Sequence, residues 1–399
     1  MKTLLVAALS ALLVAPVNAQ TPTGKSAAKR PQLLAHYMPW FDADLDAKRY
    51  GWHWTMNKRD PNKQDANGRR KIAAHDSPLI GVYDSGDPDV LEYHVLLMKI
   101  AGIDGVIADW YGDTDYLDYA LVHRNTAALL AWAKKAGLSF AVCYEDQTVP
   151  KLVAGGKVAK EETTAYGQGI LSRLERSWFA DSAYLRLHGK PVFLVFGYAF
   201  YKSEDWAAIL APPLKPVAYF SQDTRREPAT GAFAWVNPRP EGAANADRFY
   251  VASKGEGAFM PVAYPSFHDY YKEAGVGESY GRIDSANGKT LRETLSRAAK
   301  SRPPFIQIAT WNDWGEGTSI EPGDAMKDAY LQIVQEFRRK QDKSFAYRPA
   351  DLSLPRQLFA LRKKHRKNAA VQQKLNTAFQ YICGGKTAAA KAALLAIKP

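Results

Sequence analysis

The feature that most constrains the fold of this chain is a succession of short apolar strands separated by longer helical stretches. Strands that are apolar throughout are typical of a parallel sheet covered on both faces. The predicted strands are 33–37, 104–110, 139–144, 191–196, 217–220, 232–236, 260–264 and 305–310. The predicted helices are 88–101, 117–136, 158–178, 243–254, 289–300 and 325–340.

Eight such units predict an α/β fold, a closed (β/α)8 TIM barrel over residues 31–345. An open, doubly wound sheet is the alternative, and it is weakened because no glycine-rich dinucleotide turn follows the first strand. A chain with 10 Trp, 21 Tyr and 16 Phe can bury a large core, which excludes disorder as its main state. Its 2 Cys, Cys143 and Cys383, exclude a disulfide scaffold, and we expect them to be unpaired.

The N-terminus has the pattern of a cleaved signal peptide over residues 1–19. A basic start is followed by an apolar run that is short for a membrane span, and the small residue Ala19 precedes the expected cleavage site. A flexible leader is predicted over 20–30. The expected location is therefore secreted or periplasmic, with an N-terminal anchor as the alternative. No membrane span is expected in the mature chain.

The C-terminal segment 346–399 is predicted to be a short basic helical extension. Residues 351–399 contain ten Lys and Arg against one acid, Asp351, and so carry +9 of the net charge of +12. Apolar residues at helical spacing predict that the extension docks on the barrel. Its charge suggests an anionic polysaccharide as a partner, or only a solvated helix face. Export disfavours nucleic acid, and a monomer is expected.

The densest chemical signal is Thr-Trp-Asn-Asp-Trp-Gly-Glu-Gly-Thr-Ser-Ile-Glu-Pro at 310–322, directly after the eighth strand. In a barrel of this type the C-terminal ends of the strands face the active site. Asp313 and Glu316, the predicted catalytic residues, are three positions apart, which on a helical turn places them on one face. Two nearby carboxylates can share the roles needed to break a glycosidic bond. The alternative is a turn segment in which Asp313 caps a helix.

This motif resembles the corresponding segment of glycoside hydrolase families 71 and 99. Residues 102–112, around the second strand, and 187–192, at the entry to the fourth, are also similar to these families. The resemblance covers roughly residues 31–342. It implies a (β/α)8 barrel that needs no metal and acts on α-linked glycans: α-mannosides in family 99 and α-1,3-glucans in family 71.

The resemblance also implies roles for the two acids. In family 99 the first motif acid is a Glu that deprotonates the sugar's own 2-hydroxyl and gives an anhydro-sugar intermediate. Here that position is Asp313, one methylene shorter and more similar to the Asp of family 71. The second acid is the general acid/base, which corresponds to Glu316.

Sugar binding needs flat aromatic surfaces for the ring faces and polar groups for the hydroxyls. Residues of these types follow several predicted strands. Others lie in the long segment 41–87, in which Trp52, His53 and Trp54 are expected to fold over the site as a lid. The predicted substrate-binding residues are Tyr37, His53, Trp54, Asp109, Trp110, Tyr111, Glu145, Tyr198, Asn237, Trp311, Asn312, Trp314 and Glu321.

Other signals for cofactors are weak, and none is expected. The histidines do not have the spacing of a metal site. The glycine-dense segment 275–281 does not directly follow a strand, which disfavours a nucleotide loop. The sequence therefore predicts an exported glycoside hydrolase that cleaves a polysaccharide or glycan. The alternative is a barrel without catalysis that binds carbohydrate or interacts with the cell envelope.

Overall fold

Eight parallel strands form the barrel in a computed structural model that describes residues 30–197, 200–252 and 258–397. The predicted (β/α)8 fold is confirmed, and the open doubly wound sheet is wrong, because β1 pairs with both β2 and β8. The strands are β1 Gln32–Tyr37, β2 Gly105–Trp110, β3 Ser139–Glu145, β4 Lys190–Phe196, β5 Ala218–Gln222, β6 Gly231–Phe233, β7 Ala258–Met260 with Val262–Ala263, and β8 Phe305–Ile308.

The barrel closes through β7, which is interrupted at Pro261. Its first part pairs with β6 and its second part pairs with β8. Proline has no N–H to donate to a ladder, and this accounts for the break. The Pro261 carbonyl still accepts a hydrogen bond from the Gln307 N–H at 3.0 Å, so the seam between the two halves remains closed.

Helices lie between most of the strands. Four short ones, Trp52–Thr55, Thr148–Ala154, Ser203–Ile209 and Tyr271–Ala274, are absent from the sequence prediction, and residues 223–230 connect β5 to β6 without a helix. The helices are α1 Trp52–Thr55, α2 Pro88–Ala101, α3 Tyr119–Lys135, α4 Thr148–Ala154, α5 Thr163–Arg176, α6 Ser203–Ile209, α7 Gly242–Ala252, α8 Tyr271–Ala274, α9 Lys289–Ala299, α10 Ala329–Gln341, α11 Ser353–Lys364, α12 Ala369–Cys383 and α13 Thr387–Leu395.

The C-terminal extension forms α11, α12 and α13, and it docks on the outer helices of the barrel, as predicted. Leu358, Leu375, Phe379 and Ile382 are buried in the same apolar core as the barrel strands. Phe379 meets Trp132 of α3 edge to face, with ring centroids 5.6 Å apart. The extension and the barrel therefore share one core.

The expectation that the basic residues of the extension face solvent is wrong for three of them. Arg362 is buried and forms a bidentate pair with Glu92 of α2 at 2.7 and 2.8 Å. Arg356 pairs with Asp328 at 2.7 Å, and Lys363 pairs with acids at the start of α2. Carboxylates of the body neutralise these charges. Within residues 351–397, the basic residues that stay exposed are Lys364, Arg366, Lys367, Lys374, Lys386 and Lys391.

The two cysteines are unpaired, as predicted. Cys143 is buried in β3, and Cys383 lies at the end of α12. The predicted signal peptide over 1–19, the leader up to residue 29, and Tyr198 fall outside the described residues. Within the described part of the chain, no helix combines the length and apolarity needed to cross a bilayer.

Candidate active site

A cavity of ≈ 290 Å³ opens at the C-terminal ends of the strands. Four carboxylic acids line it: Asp109 near the end of β2, Glu145 at the end of β3, and Asp313 and Glu316 after β8. Asp109, Asp313 and Glu145 are only 1%, 4% and 8% exposed. The lining includes no Lys or Arg among the described residues, so no basic side chain within this cavity offsets the charge of the acids.

The segment after β8 is a series of turns rather than the helical turn expected from the spacing. The Asp313 N–H donates to Thr310 Oγ1 at 2.8 Å, and Asp313 Oδ1 accepts from the Glu316 N–H at 2.9 Å. One carboxylate thus binds the backbone of the residue that carries the other. The two acids are positioned relative to each other by a local turn.

Burial raises the pKa of both acids of the motif, but to different extents. For Asp313 the pKa rises to about 7, because burial and the nearby Glu145 outweigh the hydrogen bonds from the Glu316 and Gly315 N–H groups. For Glu316 burial and the neighbouring Asp313 raise the pKa well above its usual value, against a hydrogen bond from Tyr271. Tyr271 Oη donates to Glu316 Oε1 at 3.0 Å. Asp313 is therefore the acid that ionises first, and Glu316 the one that keeps its proton.

The other two acids form a second pair. Burial, followed by the Glu145 carboxylate, raises the pKa of Asp109 well above its usual value. Burial also raises the pKa of Glu145, which accepts a hydrogen bond from Gln147 Nε2. Such a clustering of raised pKa values in a cleft is typical of a functional site.

Aromatic side chains form the walls of the cavity. Trp40 stacks on His53 with ring centroids 4.2 Å apart, and Trp52 is 40% exposed beside them. Tyr280, 56% exposed, belongs to a loop that Asp269 holds by accepting hydrogen bonds from the Tyr280 N–H at 2.8 Å and the Ser279 hydroxyl at 2.9 Å. Flat rings of this kind suit the apolar faces of sugars.

The cavity continues into neighbouring pockets on different sides. One of ≈ 600 Å³ shares Trp52, His53 and Glu145 with it and ends near Lys151. Another of ≈ 460 Å³ shares Trp235 and extends along β6 and α7. Together they form a cleft that runs across the mouth of the barrel.

The structure separates the predicted site residues into two sets. Besides Asp313 and Glu316, four of them line the cavity: His53, Asp109, Tyr111 and Glu145. Asn237 lines the neighbouring pocket beside Trp235. Seven lie outside the cavity and are corrections to the prediction: Tyr37, Trp54, Trp110, Trp311, Asn312, Trp314 and Glu321.

The residues that are excluded from the cavity stabilise the barrel behind it. Glu321 accepts hydrogen bonds from Tyr83 Oη, His94 Nε2 and Trp314 Nε1 at 2.8, 3.0 and 3.1 Å. Tyr37 Oη bonds His94 Nδ1 at 2.9 Å, which extends the same network. Buried polar groups require hydrogen-bond partners of this kind. The sequence of a motif alone does not distinguish a polar residue buried in the core from one that binds a ligand.

Local geometry explains why the other predicted residues lie outside the cavity. Side chains alternate along a strand, so Trp110 points outward where Asp109 points into the barrel; its Nε1 donates to His123 at 3.2 Å. Asn312 joins β8 to β1 by accepting from the Met38 N–H at 2.8 Å and donating to the Met38 carbonyl at 3.0 Å. Trp54 donates to the Tyr83 carbonyl at 2.8 Å, and Trp311 is wholly buried.

Several residues that line the cavity are absent from the predicted set. The aromatic cluster just after β1 was the available signal for Trp40 and Phe41. Tyr271 precedes the glycine-dense segment 275–281 and Tyr280 lies within it, and the sequence prediction weighs that segment only as a nucleotide loop. The further lining residues are His36, Met38, Trp52, Met56, Gln147, Phe196, Trp235 and Gly315.

The fold also brings together histidines that are far apart in the sequence. The rings of His75 and His268 stack with centroids 3.6 Å apart, and Glu273 is near enough to share a metal ion with them. His36, Asp109 and Cys143, at the base of the cavity, are a second group of side chains close enough to bind one metal ion. Sequence spacing could not reveal either group, because each joins separate parts of the chain.

A (β/α)8 barrel with buried carboxylates between aromatic walls at its strand ends is the arrangement of a glycoside hydrolase. Comparisons with known proteins support this class. The model of glycosyl hydrolase family 99 matches residues 30–217. The chain is therefore a glycoside hydrolase that is similar to family 99, which confirms that part of the resemblance.

The similar proteins are described as endo-alpha-mannosidases. A glycoprotein endo-alpha-1,2-mannosidase of Rattus norvegicus is 24% identical over 390 residues, 80% of this chain and 77% of the relative. The Mus musculus protein of that name is 24% identical over 72% of this chain and 67% of its own. The structure of the GH99 endo-alpha-mannosidase from Bacteroides thetaiotaomicron is 21% identical, with a TM-score of 0.57 over 77% of this chain and 98% of that one.

Proposed function

We propose that this protein hydrolyses α-glycosidic bonds in a polysaccharide or glycan, with Glu316 as general acid/base and Asp313 as the base. The observation that carries the proposal is the order of the two pKa values in one cavity. Glu316 retains a proton that it can donate to the glycosidic oxygen, while Asp313, with a pKa of about 7, is the more readily ionised.

The chemistry divides between these two groups. As Glu316 protonates the leaving oxygen, Asp313 removes a proton from the nucleophile. The family resemblance makes that nucleophile the 2-hydroxyl of the sugar itself, after which Glu316, now ionised, activates a water molecule. Tyr271 holds the Glu316 carboxyl through its hydrogen bond at 3.0 Å.

The substrate is an α-mannoside or a related α-glucan, and the bond that is cleaved lies inside a chain. Relatives described as endo-alpha-1,2-mannosidases support the first sugar. The cleft supports endo action, because pockets continue from the catalytic cavity on more than one side and leave room for sugars around the cleaved bond.

The proposal includes export, which rests on the N-terminal sequence. It also includes attraction to an anionic polysaccharide, which rests on the six exposed basic residues within 351–397. The mass of the mature protein recovered from outside the cytoplasm tests the first point. Retention on the cytoplasmic side with Met1 still present would contradict it.

The catalytic assignment is tested with Glu316→Gln and Asp313→Asn on a panel of α-mannans and α-glucans, with products read by mass. Loss of general acid catalysis should lower turnover by about 100-fold or more, with substrate binding retained. Glu273→Gln is the control, because it removes a nearby carboxylate that does not line the cavity. Near wild-type turnover of a substrate with a poor leaving group by Glu316→Gln would contradict the role. A wild-type protein that binds these glycans and releases no product would instead be a binding barrel.

A further inference from the structure

The base of the catalytic cavity contains three side chains of different chemistry. His36 of β1, Asp109 of β2 and Cys143 of β3 place a nitrogen, an oxygen and a sulfur within 4.8 Å of one another. Asp109 and Cys143 are direct partners in the β2–β3 register, and β1 is the neighbouring strand. The three are 0%, 1% and 0% exposed. The rigid barrel therefore fixes their backbones in place.

The hydrogen bonds of Gln307 determine which nitrogen of His36 has a free lone pair. Gln307 Nε2 donates to the Ala234 carbonyl at 2.6 Å, so Gln307 Oε1 is the atom that lies 3.2 Å from His36 Nδ1. An amide oxygen accepts, so Nδ1 carries the hydrogen and Nε2 does not. Burial lowers the pKa of His36 to about 4, which keeps the ring neutral. A neutral histidine held through its other nitrogen is the usual form of a metal ligand.

The same histidine and aspartate have unsatisfied buried atoms. His36 Nε2 and Asp109 Oδ2 have no hydrogen-bond partner. Both residues line the cavity, so a ligand that enters from the mouth can reach them. Buried polar atoms without partners are uncommon and call for a bound group. Cys143 lies within reach of both atoms and supplies a sulfur ligand.

We propose that His36 Nε2, Asp109 Oδ2 and Cys143 Sγ bind a thiophilic divalent cation of the Zn²⁺ and Cd²⁺ class. One His, one carboxylate and one Cys are a ligand set that Zn²⁺ accepts, with a fourth position open to the cavity. In a tetrahedral zinc site the ligand atoms lie about 3.5 Å apart, so the side chains must close by about 1 Å. Binding displaces the thiol proton of Cys143 and the carboxyl proton of Asp109 to solvent, and no redox step is involved. Affinity should therefore rise with pH.

The cation would inhibit hydrolysis, a consequence that rests on the proposed function. It would occupy the base of the cavity and bind the Asp109 carboxylate, which faces Glu145 and Asp313. A cation there fills the base of the cavity and occupies one of its four acids, so it competes with the substrate for the same space. The site is distinct from a catalytic metal, since the acid/base chemistry uses Asp313 and Glu316.

Binding is tested on the full chain with Co²⁺ and Cd²⁺ alone. Wild type should show a near-ultraviolet thiolate-to-Co²⁺ absorption band and bind Cd²⁺ in calorimetry. Cys143→Ala should lose the band and weaken Cd²⁺ binding by about tenfold or more. Cys383→Ala, which removes the other cysteine, should match wild type. Cys143→Ser, which keeps the side-chain volume, and His36→Gln are second variants. Thermal unfolding verifies that each variant is folded.

The outcomes separate the site from the hydrolase proposal. Zn²⁺ inhibition that is reversed by a chelator and lost in Cys143→Ala supports both. Metal binding that depends on Cys143 in a protein without hydrolytic activity supports the site and contradicts the proposed function. Equal Cd²⁺ affinity in wild type and Cys143→Ala, or no thiolate band in wild type, overturns the site.

Discussion

Tyr271 is the residue that adjusts the pKa of Glu316, the proposed proton donor. Its hydroxyl donates to Glu316 Oε1, which stabilises the ionised carboxylate and opposes the rise in the pKa of Glu316 caused by burial. The rate of hydrolysis should therefore depend on pH in a bell shape. The acidic limb follows ionisation of Asp313, with a pKa of about 7, and the basic limb follows deprotonation of Glu316.

We predict that Tyr271→Phe moves the basic limb of kcat/KM to higher pH and leaves the acidic limb nearly in place. The substitution removes a hydrogen bond that stabilises the ionised carboxylate of Glu316. The neutral acid is then favoured more strongly, so the pKa of Glu316 rises further. Full pH–rate profiles of both proteins measure the shift. A basic limb that moves to lower pH would contradict the assignment of the proton donor.

Asp109 illustrates the cost in stability of collecting buried acids. Its folded-state pKa is raised, so the folded state binds more protons than the unfolded state, and stability falls as pH rises above the usual carboxyl range. We predict that Asp109→Asn raises the melting temperature more at pH 9 than at pH 5, at the expense of activity. Thermal unfolding at both values measures this, with the exposed Glu161→Gln as control. An equal change at both pH values would contradict the prediction.

The two site residues that the sequence singled out as catalytic belong to a continuous motif. Asp313 and Glu316 stand in a segment whose position after the last strand directs it into the barrel. Glu321 stands in the same segment, but it binds three buried donors from distant parts of the chain. No local sequence pattern distinguishes a carboxylate that binds substrate from one that accepts hydrogen bonds from buried donors. The difference lies in contacts between residues that are far apart in the sequence.

At the scale of elements, the strands were predictable because burial on both faces leaves an uninterrupted apolar run. The strand β2, which is buried along its whole length, illustrates this. The short helices α4 and α6 were not predictable, because they are held by packing rather than by a long amphipathic pattern. The break in β7 at Pro261 depends on pairing with two different neighbours, which no single segment encodes.

The contact between α11 and α2 is a buried ion pair. Removing one of its two charges should lower the free energy of unfolding substantially. Arg362 is 7% and Glu92 1% exposed, and their two hydrogen bonds are 2.7 and 2.8 Å long. Burial raises the pKa of Glu92 even with Arg362 present, so the charge of Glu92 depends on its partner. Removal of the whole extension after Ala350 would also expose this carboxylate and the core beneath it.

We predict that Arg362→Met lowers the free energy of unfolding by about 3 kcal/mol, because it leaves Glu92 buried without its cation. The double variant Glu92→Leu/Arg362→Met should recover most of that loss, since both charges are then gone. Denaturant unfolding of the two variants and of each single change measures the coupling. An Arg362→Met protein as stable as wild type would show that the pair contributes nothing.

At the scale of the whole molecule, the charge of the chain is unevenly distributed. The body is close to neutral, and the extension supplies most of the net +12. Three of its basic residues are neutralised by Glu92, Asp328 and the start of α2. The charge that remains free to attract a partner is therefore the exposed set, in which Lys364, Arg366 and Lys367 are adjacent at the end of α11.

We predict that the triple variant Lys364→Gln/Arg366→Gln/Lys367→Gln elutes from an anionic polysaccharide matrix at lower salt than wild type. Attraction between exposed charges is screened over about 10 Å at 0.1 M salt, so loss of three adjacent charges weakens it directly. Unlike truncation, the variant keeps the buried contacts of Arg362, so its melting temperature and its hydrolysis of a small neutral substrate should match wild type. The matched control changes Lys157, Lys160 and Lys300, which are exposed elsewhere on the body, to Gln. If both triple variants elute at the same salt concentration, the extension only packs and net charge alone accounts for retention.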